Sequence, residues 1–302
     1  MNNIVRIDSI NAVHEWAGYG KPEHPLITVI DFTKVKNTNK LKGQTFTLEL
    51  YLISMKKMPD KEALFHGRKY CDFKDGTLCF MSPGHIITID EEENTPEEGW
   101  GLYFHPNLIQ RTNLNKQITN YSFFSYNIYE ALHVSDKEKS ILNSIVEKIK
   151  DEYSSHIDQH SQTLIISNLE LLLNYCDRFY TRQFLTRFNS NHDVVKKFNQ
   201  FLNEYFNSDK IKTQGLPSVK ECAYYMNYST NYLSDLLKKE TGKTTLEHIH
   251  YYVIDIAKSM LLSSNKTVQE ISYDLGFEYT NQFSRLFKKE TRMSPIKYRN
   301  TS

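Results

Sequence analysis

The chain repeats itself near its C-terminal end, and this repeat sets the strongest limit on its fold. The segments "TNYLSDLLKKET" (Thr230–Thr241) and "TNQFSRLFKKET" (Thr280–Thr291) lie 50 residues apart, and eight of their twelve aligned residues are identical. Two copies are too few for a solenoid, whose units need several neighbours to bury a core. They fit one duplicated functional unit. A short apolar-periodic stretch precedes each copy: Val219, Cys222, Ala223 and Met226 in the first, Val268, Ile271 and Leu275 in the second. Spacings of three and four place these residues on one helix face. Ser218 with Glu221, and Thr267 with Glu270, have the spacing of a capping box, so both stretches carry a start signal. Asn227 and Gly276 then supply a residue that tolerates positive φ, followed by Tyr228 and Phe277. The repeated segment itself forms a second helix that buries Leu233, Leu236 and Leu237, or Phe283, Leu286 and Phe287.

Helix, tight turn and helix is the layout of a helix-turn-helix, whose second helix enters the DNA major groove. The outward face of that helix holds the candidate contacts: Asn231, Tyr232, Ser234 and Asp235 in the first copy, Thr280, Asn281, Gln282 and Arg285 in the second. Asn and Gln can bond adenine in two places at once, and Arg can do the same to guanine. Lys238, Lys239, Lys288 and Lys289 follow about two turns later, at reach of phosphates. An ordinary solvated helix face is the plainer reading of such a pattern, and the second copy is what weighs against it. Between the copies, "TLEHIHYYVIDIAKSMLLS" (Thr245–Ser263) places Leu246, Ile249, Val253, Ile256, Ala257, Met260 and Leu261 at helical spacing. Its 19 residues would form a rod of about 28 Å, against about 34–36 Å for a turn of B-DNA. The rod suits both a spacer between two reading helices and a plain packing helix.

With these residues in view, Ser218–Arg299 resembles the DNA-binding domain of the AraC/XylS family of bacterial transcription regulators. The resemblance rests on the paired helix-turn-helix units, Gly276-Phe277, "FSRLFKKE" (Phe283–Glu290) and "SPIKYR" (Ser294–Arg299), and covers about 110 residues. It implies base contacts at Asn231, Ser234 and Asp235, and at Thr280, Asn281, Gln282 and Arg285. Two residues depart from the family pattern. Asp235 stands where many relatives carry Arg or another base-reading donor; a carboxylate faces phosphate repulsion, although it can accept from cytosine N4. Arg292 stands where relatives usually have Gly, which implies a helix end made in another way.

The rest of the chain has a different character. From Ser190 onward there are 16 Lys and Arg against 12 Asp and Glu; the remainder has 21 against 24. A basic C-terminal part on an acidic N-terminal part fits a DNA reader joined to a domain with another task. The N-terminus "MNNIVRIDSI" has no signal-peptide pattern, and no apolar run is long enough to span a membrane. Cys71, Cys79, Cys176 and Cys222 are scattered, as in a reduced cytoplasmic protein. Short segments rich in β-branched and aromatic residues, Pro25–Phe32, Thr45–Met55, Gly76–Pro83, His85–Asp90 and Gly99–Pro106, predict strands over residues 24–133 and a sandwich or barrel. The acidic run Glu91–Glu98 reads as a solvated turn. "DGTLCFMSPGHIITI" also resembles the strand, Pro-Gly, strand pattern of cupin-like sensor domains joined to AraC-type readers. Phe46, Leu48, Leu50, Phe80, Ile87, Trp100, Leu102 and Phe104 fit either the lining of a small-molecule pocket or a filled core. The barrel-region histidines, His24, His66, His85, His105 and His133, are isolated and lack metal-ligand spacing, so neither a metal site nor a cofactor is expected.

Two helices follow. Ser135 with Glu138 starts one, with Ile141, Leu142, Ile145, Val146 and Ile149 as its stripe. The other runs over Ser161–Tyr180 and is apolar on more than one face, which fits a helix shared with a second subunit or an intrachain hairpin. The fold expectation is therefore multidomain: a cupin-like β-barrel or jelly roll with two helices over residues 1–181, a linker over 182–191, and an all-α AraC-type domain over 192–302. Within that domain the first unit is 218–241, the connecting helix 245–263 and the second unit 267–291. The function expected is that of a cytoplasmic, sequence-specific transcription regulator and activator, not an enzyme. Its expected partners are double-stranded promoter DNA, a small-molecule effector, a second copy of the chain in a homodimer and RNA polymerase, with no membrane. A regulator that needs no ligand, and a metal-dependent cupin enzyme with a vestigial reader, stay open as alternatives.

Overall fold

The computed structural model describes residues 5–35, 45–57, 64–66, 69–71, 76–88, 98–155, 158–186 and 188–300. They divide into two compact units, Met1–Gln183 and Phe184–Ser302.

The first unit opens with β1 (Val5–Ile7) and α1 (Ile10–Ala17). The helix begins where the Ser9 hydroxyl accepts from the Ala12 N–H, and ends at Gly18 in the left-handed region. Then come β2 (Ile27–Asp31), β3 (Thr45–Leu48), β4 (Tyr51–Lys57), β5 (Leu64–His66), β6 (Lys69–Cys71), β7 (Thr77–Met81), β8 (His85–Thr88) and β9 (Glu98–Phe104). Two short helices, α2 (Pro106–Ile109) and α3 (Asn113–Gln117), precede β10 (Leu132–His133). Among the described residues the strands form a three-stranded sheet in the order β1-β3-β8, a five-stranded sheet in the order β10-β7-β4-β9-β2, and a β5-β6 ladder. The β1–β3 pairing is parallel; the other pairings are antiparallel.

The segment expected as one strand over Thr45–Met55 is two strands in different sheets. The chain changes sheet at Glu49 and Leu50, where the Glu49 N–H donates to Ile7 and Leu50 is fully buried. Pro83-Gly84 marks a second change of sheet, from β7 to β8. Ile7, Ile30, Phe46, Leu48, Leu52 and Tyr103 share one core cluster, which also takes Ile10 and Val13 of α1. The two larger sheets thus share a common core, with no closure into a barrel among the described residues. Of the acidic run expected as a turn, residues 91–97 lie outside the described residues, and Glu98 opens β9.

Helices α4 (Asp136–Ser154) and α5 (Ser161–Thr186) complete this part of the chain. The Tyr153 hydroxyl of α4 accepts from the Val29 N–H on the edge strand β2, at 3.0 Å. Phe80 of β7 packs on Phe123 at 4.4 Å, and Phe123 stacks on Tyr180 of α5 at 5.5 Å. Helix α5 continues six residues beyond the expected end, because its last turns are tied down. The Arg182 guanidinium donates to both Glu138 oxygens, at 3.1 and 2.9 Å, and to the His133 carbonyl at 2.7 Å. Gln183 is buried; its carbonyl accepts from the His133 N–H at 2.8 Å and its amide donates to Ala131 at 3.2 Å. These polar residues complete the backbone bonding around β10 and lie within the segment 182–191, read from its polarity as a linker. Its residues belong to α5 and to α6 (Phe188–Phe206), apart from 187, which lies outside the described residues.

The second unit is helical. After α6 come α7 (Lys210–Gln214), α8 (Val219–Met226), α9 (Thr230–Thr241), α10 (Thr245–Ser263), α11 (Val268–Asp274), α12 (Thr280–Thr291) and α13 (Pro295–Arg299). The stretch Asn207–Pro217, expected as loop, holds the single-turn helix α7, anchored by buried Ile211. Two cores lie along α10. Ile249 joins Phe198, Leu202, Cys222, Leu233 and Leu237. Val253, Ile254, Ala257 and Leu261 join Ile271, Phe283 and Phe287. A helix that serves two cores cannot keep a single stripe. Ile254 is therefore 2 % exposed although outside the expected stripe, and Leu246, expected inside, is 48 % exposed.

Candidate nucleic-acid interface

The two repeated helices have the same length and start from equivalent turns. Before α9, Asn227 adopts φ 60°, the Asn227 N–H donates to Tyr224 and the Tyr228 N–H donates to Ala223. Before α12, Gly276 has φ 79°, its N–H donates to Tyr273 and that of Phe277 donates to Ser272. These are corresponding carbonyls, so the same left-handed turn is built twice. The second turn also meets a neighbour. A side chain at position 276 would stand 2.7 Å from the Ile211 carbonyl, a contact that only glycine permits. The copies end alike. Thr241 and Thr291 donate their hydroxyls to Leu237 and Phe287, each at 2.7 Å. Gly242 then has φ 78° and Arg292 has φ 62°. The expectation of a different cap at Arg292 is corrected here: the left-handed cap is kept, and the arginine adopts it.

The helix starts differ. Ser229 caps α9 with its side chain, whereas Tyr279 precedes α12 without a side-chain cap. All three capping boxes of the unit are formed: Glu221, Glu247 and Glu270 accept from the N–H groups of Ser218, Thr244 and Thr267 at 2.8, 2.7 and 2.6 Å. These backbone bonds hold all three carboxyls below the usual glutamate value of 4.5. At the other end, Arg299 donates to the Leu261 carbonyl at the close of α10 and to Lys266, and Tyr298 packs on Phe287. The "SPIKYR" motif is thus a clamp on α10, with Ser294 capping α13 and Pro295 in its first turn.

On α12, Asn281, Gln282, Arg285, Lys288 and Lys289 are exposed and Thr280 is half-buried. On α9, Asn231, Lys238 and Lys239 are exposed, and Ser234 and Asp235 are half-buried. Tyr232, expected on the outward face, is 4 % exposed. Its ring stacks on Tyr228 at 5.2 Å and meets Phe184 edge-on at the same distance, so it belongs to the packing of the unit. Ser234 donates to the buried hydroxyl of Thr245 at 3.1 Å, which ties α9 to α10.

In the first unit, a cavity of about 410 Å³ lies between the five-stranded sheet and α4, with Val29, Met55, Trp100, Lys139 and Val146 in its wall. Trp100 donates its ring N–H to Asn143 across it, at 2.9 Å. Of the residues expected to line a pocket, Phe46, Leu48, Leu50, Phe80, Leu102 and Phe104 are buried core, Ile87 packs on that core, and Trp100 alone borders the cavity. Cys79, Cys176 and Cys222 are buried. Among the described residues no group of three or more His, Cys, Asp or Glu could hold a metal, and no helix is long and apolar enough to cross a membrane.

Comparison with known proteins agrees with this geometry. Residues 222–301 match the family model of a helix-turn-helix domain. YobQ of Bacillus subtilis, an uncharacterized HTH-type transcriptional regulator, is 38 % identical over 84 residues, or 28 % of this chain and 35 % of that protein. YijO of Escherichia coli, of the same description, is 24 % identical over 192 residues, or 64 % of each chain. The match thus spans about a third of one relative and under two thirds of the other. Among solved structures, the C-terminal domain of AraT, a response regulator from Geobacillus stearothermophilus, is 27 % identical, with a TM-score of 0.32 over 36 % of this chain and 85 % of that one. The second unit carries a duplicated helix-turn-helix. It matches a helix-turn-helix domain and is similar to the corresponding part of proteins described as HTH-type transcriptional regulators.

Proposed function

We propose that the chain is a sequence-specific DNA-binding transcription regulator that acts by binding and carries out no chemistry. The observation that supports it is the pair of matched helices α9 and α12, built on equivalent turns. They present Asn231, Asn281, Gln282 and Arg285 outward, with four exposed lysines behind them. Placed in adjacent major-groove segments of one duplex, α9 and α12 would bring the lysines to phosphates and the amides and guanidinium of α12 to base edges. Such binding needs a cytoplasmic protein with access to promoters. Titration of the full chain against its own upstream DNA is expected to give a footprint of adjacent segments and an affinity that falls steeply with salt. Equal affinity for every duplex, or none at low salt, would overturn the reading.

The first unit is, on this proposal, a cupin-like sensor. Two sheets over one core support it, and the cavity beside Trp100 suits a small-molecule effector. The unit also suits homodimerisation through α5, and contact with RNA polymerase follows if the regulator is an activator. Activation of a reporter promoter only in the presence of a metabolite, with that metabolite bound by the purified chain, tests the sensor. Full activity without any ligand would favour a regulator that acts through dimerisation alone.

A further inference from the structure

We infer that the two recognition helices divide their work: α12 reads sequence, and α9 holds the duplex without specifying bases. This rests on the DNA-binding reading above. The copies share a backbone and eight of twelve residues, so the differing positions can be compared one by one. At the third position Gln282 is exposed on α12, whereas Tyr232 of α9 is buried against Tyr228 and Phe184. At the sixth position Arg285 is exposed on α12, whereas α9 carries Asp235, half-buried. Arg offers a planar fork that matches the two acceptors of guanine, while Asp presents negative charge to the phosphates on either side of the groove. The half-buried Ser234 hydroxyl is already turned onto Thr245. Asn231 is thus the one exposed amide on the forward part of α9, against Asn281, Gln282 and Arg285 on α12.

Charge points the same way. Thr230–Thr241 carries two Lys, one Asp and one Glu, and its formal charge is zero. Thr280–Thr291 carries one Arg, two Lys and one Glu, and its formal charge is +2. The helix with base-reading groups is also the one drawn to the duplex. Lys238 and Lys239, in the last turn of α9, suffice for a phosphate grip.

The test is selection of binding sites from a random duplex library by the full-length chain and by matched variants, followed by affinity measurements across salt. The wild-type chain is expected to select one strongly specified segment. Asn281→Ala and Arg285→Ala should lower discrimination within it about 10- to 100-fold. Arg285→Lys should do so too, because it keeps the charge and loses the fork. Asn231→Ala and Asp235→Asn should leave the selected sequence unchanged. Lys238→Ala and Lys239→Ala should weaken all sequences alike and lower the salt slope by about one each. Unchanged thermal melting is expected for the variants at Asn231, Lys238, Lys239, Asn281 and Arg285, since these residues are exposed. Two equally specified segments about one helical turn apart, with Asn231→Ala or Asp235→Asn altering one of them, would overturn the division while leaving DNA binding intact. A wild-type chain that binds no duplex would overturn the DNA-binding reading itself, and the division with it.

Discussion

At the scale of single residues, the two turns of the reader unit differ most at the ends of their repeats. Arg292 holds φ 62°, where a side chain crowds the following carbonyl, at a position where its counterpart is Gly242. Its replacement by glycine is expected to raise stability by about 1 kcal/mol, measured as a higher urea midpoint with an unchanged slope. Gly276 is the opposite case. Alanine there would meet both the strained φ of 79° and the Ile211 carbonyl at 2.7 Å, and is expected to destabilise the unit by about 2 kcal/mol or more. That Gly276 and Asn227 tolerate left-handed backbone was legible from residue type alone. The burial of Tyr232 was not. Position 232 lies on the outward side when α9 is read by itself, and Phe184, far away in sequence, packs over it together with Tyr228. One of the two rings that bury it lies outside any local window.

Secondary-structure elements separate in the same way. The capping boxes at Ser218 and Thr267 are local chemistry over four residues, and the helix starts they mark are found where the spacing places them; the box at Thr244 is of the same kind. They also make stability depend on pH. Backbone bonds to the ionised carboxyls lower the folded-state values of Glu221, Glu247 and Glu270 below 4.5. A group lowered in this way stabilises the fold above its unfolded value and ceases to do so as pH falls through its folded one. Thermal melting of the chain is thus expected to fall as the pH drops below about 4.5. The triple variant E221Q/E247Q/E270Q, which keeps an acceptor oxygen at each cap, should show a shallower loss over that window. An equal loss in variant and wild type would assign the acid sensitivity to other carboxylates. Strand limits were less legible, because the alternation of Thr45–Leu48 runs without a break into Tyr51–Lys57. The corner between them is made by tertiary bonds, not by a turn residue. Helices α1 and α13 were overlooked although Ser9, Gly18, Ser294 and Pro295 mark their ends, since each is under three turns long.

For the whole molecule, the unresolved choice in the sequence was what covers the second face of α5. One face is buried in the first unit through Leu169, Leu172, Leu173 and Cys176. On another, Leu164 is 46 % exposed and Leu171 is 42 % exposed. Asn168, half-buried Tyr175 and exposed Arg178 fall between and beyond them, at alternating spacings of four and three. That is the spacing of a seam between two helices, and a polar Asn within such a seam favours one register over others. A second copy of the chain is the partner that this self-complementary pattern suits. Two-fold pairing would bring two reader units to one operator, so that the second engagement becomes intramolecular. The double variant L164E/L171E is expected to sediment as a monomer where the wild-type chain sediments as a dimer. Its affinity for a two-site operator should fall by about 100-fold, with affinity for a single half-site unchanged. A wild-type chain that stays monomeric at tens of micromolar, or a variant that still dimerises, would show that the exposed leucines of α5 serve another purpose. In the second case the partner surface would have to be sought elsewhere in the first unit.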